Sequence, residues 1–181
     1  MDLLFVSANS RKEYIDVERE HRILQTLLDS GQHSLQALPA AEVSDLREAL
    51  RINQTRRSFD ALHFCGHASE EHGLHLRGRG QRTDYLKSGT LRGWLKNAGL
   101  GLVVLNACQS LSVAKSIASV VPVVIGTTRE VRDIAARQFT RDFYTGLTSG
   151  LPVTSAFSGA LDKQRPSSTP AYVLLQKSPE R

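Results

Sequence analysis

Four residues constrain this chain more than any others: Leu102, Val103, Val104 and Leu105 follow one another with no polar residue between them. A strand so uniformly apolar keeps neither face in water, and it belongs in the middle of a parallel sheet covered by helices on both sides. The rest of the chain repeats a matching unit, a short apolar run followed by helical spacing. Leu3 to Val6 precede Val17, Leu24, Leu27 and Leu28; Leu35 to Leu38 precede Val43, Leu46, Ala49 and Leu50, with Pro39 between them. The third strand is expected over 59–65, ahead of a polar segment whose Gly73, Gly78 and Gly80 read as the turns of a projecting β-hairpin. Ser88 reads as a cap for a helix carrying Leu91, Trp94, Leu95 and Ala98, which Gly99 and Gly101 end. Further helices are expected over about 110–119, around Val131, Ala135, Phe139 and Phe143, and from Pro152 through Leu161, with strands at 121–125 and 172–175. The expectation is one α/β domain over 1–181, a three-layer α/β/α sandwich on a mostly parallel sheet of about six strands.

Composition sets limits on function. With 181 residues, 40% of them hydrophobic, the chain can bury a core without disulfide or metal support. The 23 basic and 18 acidic side chains leave +5, too little to define a nucleic-acid coat. No apolar run approaches the ~20 residues of a membrane span, so no membrane partner is expected. The opening MDLLFVSANS has no basic stretch ahead of its short apolar run, which predicts a cytoplasmic chain whose two cysteines are reduced.

Reactive groups in open α/β sheets gather beyond the carboxyl ends of the strands. Two exits stand out: HFCGHAS presents His67 after Gly66, and LNACQS presents Cys108 just before a predicted helix. If the two strands are neighbours, about 4.8 Å apart, a thiol and an imidazole at matching heights form a nucleophile and its base. The unpaired N–H groups of the following helix favour an anionic sulfur. The backbone N–H groups of Cys108 and Ala68 would serve as oxyanion donors, with Gly66 allowing the chain to turn tightly. Against this stands a Cys108 that merely fills space behind an apolar strand.

The motifs HFCGHA and VLNACQS, 41 positions apart from His67 to Cys108, resemble the histidine and cysteine motifs of the CHAT family, caspase-like peptidases of the clan that includes separase and the caspases. The resemblance spans nearly the whole chain: LLFVSANS and its charged helix are similar to that family's first strand and helix, VVIGTTREVRDIAARQFTRDFYTGLTSGLPVTSAF to the segment after its cysteine, and PAYVLLQ to its last strand. It implies a caspase-like fold and a cysteine endopeptidase with Cys108 as nucleophile and His67 as general base. It also implies a protein substrate, a regulatory or sensor partner, a role in bacterial defence or programmed death, and no cofactor. Related peptidases place part of a substrate pocket where this chain has Glu130 and Asp133, an acidic pair suited to Arg or Lys; a helix-terminal role is the alternative for Asp133. Arg11 offers a basic pocket of the caspase kind, or is a solvated loop residue.

The remaining candidates have plainer readings. His63, Cys65 and His67 share strand parity and with Cys108 outline a conceivable zinc set, but no paired-cysteine spacing supports one, and the expectation is no metal. Cys65 reads as core, and His21, His33, His72 and His75 as ordinary surface residues. Arg77, Arg79, Arg82, Lys87, Arg92 and Lys96 face one acid, Asp84; few aromatics accompany them, which favours a solvated or protein-docking face over a nucleic-acid surface. A non-catalytic interaction module binding a protein or nucleic-acid partner through this basic hairpin face is the rival to the peptidase reading.

Overall fold

The computed structural model describes residues 1–9, 14–29, 32–164 and 171–177; Arg11 and residues 165–170 lie outside them. The strands are β1 (Asp2–Ser7), β2 (Ser34–Leu38), β3 (Ala61–Ser69), β4 (Gly73–Arg77), β5 (Thr83–Leu86), β6 (Leu102–Ala107), β7 (Val123–Thr127) and β8 (Tyr172–Gln176). The helices are α1 (Val17–Leu28), α2 (Val43–Arg56), α3 (Ser88–Leu95), α4 (Leu111–Ile117), α5 (Asp133–Thr148) and α6 (Val153–Asp162). The main sheet runs β2-β1-β3-β6-β7-β8. All neighbours are parallel except β8, which lies antiparallel to β7. The expected sandwich and its six-stranded, mostly parallel sheet are therefore present.

Alternation along the central strands sorts their side chains between two cores. Leu4, Val6, Leu62, Phe64, Val103, Leu105 and Val124 face one way, joined by residues of α2, α3 and α4. Leu3, Phe5, Ala61, Cys65, Leu102, Val104 and Ile125 face the other way, joined by residues of α1, α5 and α6. The run 102–105 thus divides evenly between both layers and is buried on each.

The helices start and stop for local reasons. The Asp16 carboxylate accepts a 3.2 Å bond from the Arg19 N–H and caps α1, while Asp45 accepts a 2.9 Å bond from the Glu42 N–H at the start of α2. At α3, Lys87 occupies the cap position and Ser88 is already helical, so the expected serine cap is absent. Val131 precedes α5 and does not belong to it. Pro122 falls just before β7, where its missing N–H costs the ladder nothing.

The third strand is longer than its apolar run suggests. It continues through Gly66 to Ser69, and its last three residues pair antiparallel with β4, which in turn pairs with β5. The hairpin is therefore a direct extension of the strand that carries His67, but it does not project as expected: Leu74, Leu76 and Leu86 are buried in the core shared with α2, α3 and α4. Gly66 is not a turn: a Cβ there would stand 2.7 Å from the Ala8 carbonyl oxygen and 2.9 Å from the Phe64 ring. Glycine is required because β1 and β3 approach closely at that point.

Candidate active site

Strands β3 and β6 are parallel neighbours, and their register pairs Cys65 with Asn106 and Gly66 with Ala107. His67 and Cys108 are the next residues on each chain, so the two motifs end at the same edge of the sheet and at the same height. Strand alternation also gives them a common side. Cys65 belongs to the core beneath α1 and α5, and His67 follows it by two; Ala68, one residue on, packs against the opposite core. Both side chains are half-buried.

The turn after β6 is fastened from several directions. Gln109 adopts a left-handed backbone with φ of 54°, a conformation costing an ordinary residue about 1–2 kcal/mol. The strain is held by Ser110 and Thr127, both without exposure. Ser110 Oγ donates to the Leu105 carbonyl at 3.1 Å and accepts from the Thr127 N–H at 2.9 Å. Thr127 Oγ1 donates to the Ala107 carbonyl. Cys108 itself meets residues before α5: the Val131 N–H points at Sγ from 3.4 Å, and the Val131 carbonyl lies 3.8 Å away.

Ala68 lies within β3 opposite Leu74 of β4, and is not in a free turn. Glu130 is exposed on the segment between β7 and α5. It helps line an open hollow of about 600 Å³ together with Arg129, Val131, Arg132 and Lys163. Asp133 does not line that hollow. Its carboxylate accepts from the Asp16 N–H at 3.2 Å and meets Arg137 at 3.4 Å, joining the starts of α1 and α5. Arg79 and Arg82 of the hairpin turn share a hollow with Glu42 and Asp84, so both signs of charge meet there.

Beneath the two motifs lies a polar cluster that the sequence did not reveal. Glu20 of α1 is 2% exposed, yet its carboxylate accepts bonds from His63 Nε2 at 2.7 Å, Asn106 Nδ2 at 2.6 Å, Thr140 Oγ1 at 2.9 Å and the Cys65 thiol at 3.3 Å. Tyr144 places its hydroxyl 3.0 Å from His63 Nδ1, and the Tyr172 hydroxyl donates to Asn106 Oδ1 at 2.6 Å. Burial opposes the Glu20 charge, but the bonds and charge of His63, with the donors on Asn106 and Thr140, hold its pKa below the usual glutamate value. Burial, followed by the Glu20 charge, pushes the Cys65 thiol and the Tyr144 hydroxyl well above their ordinary values. Both nitrogens of His63 are thus engaged in this cluster. Among the described residues no three His, Cys, Asp or Glu side chains are grouped to hold a metal ion, and no helix is long and apolar enough to cross a membrane. One signal for Glu20 was available: it stands three after Val17 and four before Leu24, on the buried stripe of α1.

Comparison with known proteins bears on the family and the fold. The family model described as CHAT domain matches residues 5–172. A Gillisia limnaea protein described as "Probable protease" is 26% identical over 157 residues, which are 82% of this chain but 27% of that protein. The chain thus spans about a quarter of the length of this curated relative. The crystal structure of the Drosophila initiator caspase Dronc superposes with a TM-score of 0.66 at 7% identity, covering 97% of this chain and 79% of that one. Caspase-1 from Spodoptera frugiperda gives 0.64 at 11% identity, covering 97% and 85%. At these identities the caspases speak for the fold alone, which is caspase-like.

Proposed function

Since this chain belongs to the CHAT domain family, with a caspase-like fold, we propose that it is a cysteine endopeptidase acting through Cys108 and His67. The observation that supports this most is the β3–β6 register, which ends with Gly66 beside Ala107, so that the histidine and the cysteine come next along two neighbouring strands. Neighbouring parallel strands lie about 4.8 Å apart, within side-chain reach.

In this mechanism His67 takes the proton from the Cys108 thiol as Sγ attacks the carbonyl carbon of the scissile peptide bond. The carbonyl electron pair moves onto oxygen, and the backbone N–H groups of Cys108 and Ala68 are the proposed donors to that oxyanion. Collapse of the intermediate breaks the C–N bond, and His67 returns the proton to the departing amine. Water, deprotonated by His67, then attacks the thioester; the acid product leaves and the thiol is restored. Buried Cys65, whose thiol is held protonated by burial and by Glu20, takes no part.

The natural substrate is a protein, and the proposed setting is a cytoplasmic effector of defence or programmed death switched by a regulatory or sensor partner. The test is a peptide-library cleavage profile of the purified chain and of its Cys108→Ala and His67→Ala variants. Loss of all cleavage in Cys108→Ala with the fold retained supports the dyad. Cleavage by that variant at the native rate refutes it, and a chain that cuts nothing and whose Cys108 reacts no faster than Cys65 is an interaction module instead.

A further inference from the structure

Helices α1 and α5 pack side by side, and their outer faces carry two short ladders of arginine. Arg19 and Arg22 stand three residues apart on α1, and Arg137 and Arg141 stand four apart on α5. Such spacings stack side chains on one face of a helix. All four line one open groove of about 380 Å³ between the helices. Like charges stacked in this way repel, and acids answer only the upper rung: Arg19 meets Asp16 at 2.9 Å and Arg137 meets Asp133 at 3.4 Å. Among the described residues, Arg22 and Arg141 have no such partner.

The groove leads toward the thiol. Ile134 and Gln138 line both it and the hollow of about 600 Å³ that contains Val131, and the Val131 N–H points at Cys108 Sγ. Ile134 is 77% exposed, an apolar residue set where the two spaces join. We infer that this groove is the docking track for an acidic, extended segment of the protein substrate, a reading that rests on the proposed peptidase activity and adds its substrate class. Guanidinium groups bind carboxylates through paired N–H bonds, which favours Asp and Glu as the residues that engage the lower rung. Alternate residues of an extended peptide recur every ~6.6 Å, close to the ~5.4 Å rise of one helical turn, so acids at every second position reach successive rungs. An apolar residue between them covers Ile134. A single-stranded nucleic acid suits the groove less well, because no aromatic platform lines it.

The test uses the full chain carrying Cys108→Ala, so that nothing is cut during the measurement. Binding of a fluorescein-labelled peptide with alternating glutamates around a central leucine is followed by fluorescence anisotropy. Reversal of the free lower rung, Arg22→Glu with Arg141→Glu, should weaken binding roughly tenfold or more, as should replacing the glutamates by glutamine. Both arginines are exposed, and circular dichroism checks that the variant is folded. Equal affinity for the glutamate and glutamine peptides, or an unchanged affinity in the double variant, overturns the proposal. So does tighter, equally arginine-dependent binding of an oligodeoxythymidine, which would make the groove a nucleic-acid site. The outcome is separable from the peptidase reading: glutamate-dependent binding by a chain whose native Cys108 proves unreactive keeps the acidic-segment groove and removes the peptidase.

Discussion

Glu20 and His63, 43 positions apart in the chain, meet through a 2.7 Å hydrogen bond in a site from which both side chains are almost wholly excluded from solvent. The bond ties α1 to the central strand β3. Asn106 and Thr140 extend the same cluster to β6 and α5. An ionised carboxylate tolerates burial only because each neighbour aims a donor at it.

Removing that carboxylate should therefore be costly and pH-dependent. Glu20→Ala leaves His63 and Asn106 without their acceptor, with an expected loss of about 3–5 kcal/mol at neutral pH. The folded-state pKa of Glu20 is depressed, so its contribution is fully present above the unfolded value of about 4.3 and is lost as pH falls through the lower folded value. Urea unfolding of the native chain and of Glu20→Gln should show their gap shrinking as the solution is acidified below that point. A gap of constant size would contradict a charged Glu20.

The two cysteines should separate cleanly in a labelling experiment. Cys65 is 1% exposed and its thiol is pushed up by burial and by Glu20, whereas Cys108 is half-buried at a strand exit. Iodoacetamide near neutral pH, read by mass spectrometry of digested peptides, should modify Cys108 first, and His67→Ala should slow that reaction without changing Cys65. Equal slow modification of both residues would remove the chemical case for Cys108.

Close approach of β1 and β3 makes Gly66 intolerant of any side chain. The Cβ of Gly66→Ala would press on the Ala8 carbonyl and the Phe64 ring, and the expected cost is about 1–3 kcal/mol. Thermal unfolding measures it. A variant as stable as the native chain would show that the strands separate there without penalty.

Ser110 holds the Cys108 turn from inside. Ser110→Ala removes the bond to the Leu105 carbonyl and the acceptor for the Thr127 N–H, at an expected cost of about 1–3 kcal/mol. Because the same bonds hold the positive φ of Gln109, cleavage by this variant should fall through kcat more than KM. A KM effect alone would mean that the turn keeps its shape without Ser110.

Much of this architecture was legible because the strands are continuous apolar runs and the hairpin is punctuated by glycines. Leu102 to Leu105 mark the middle of the sheet by composition alone, and Cys108 falls just past the end of that strand. The extension of β3 to Ser69 was hidden, since His67, Ala68 and Ser69 pair with β4 through the backbone and need no apolar side chains. Glu20 was hidden for the opposite reason: a charged residue reads as solvent-facing, and its donors on β3, β6 and α5 are distant in sequence. Asp133 shows the same limit. The chain alone left open a pocket residue or a helix-terminal acid, and the contacts with Asp16 and Arg137 appear only once α1 and α5 stand together.

The continuity of β3 has a mechanical meaning. His67 rides on a beam that runs from the rigid interior straight into the hairpin, while Cys108 is anchored independently through Ser110, Thr127 and Val131. Leu74, Leu76 and Leu86 bury the hairpin in the core beside α2, α3 and α4, so that beam is packed at its far end as well, and the histidine and the cysteine keep their positions through separate supports.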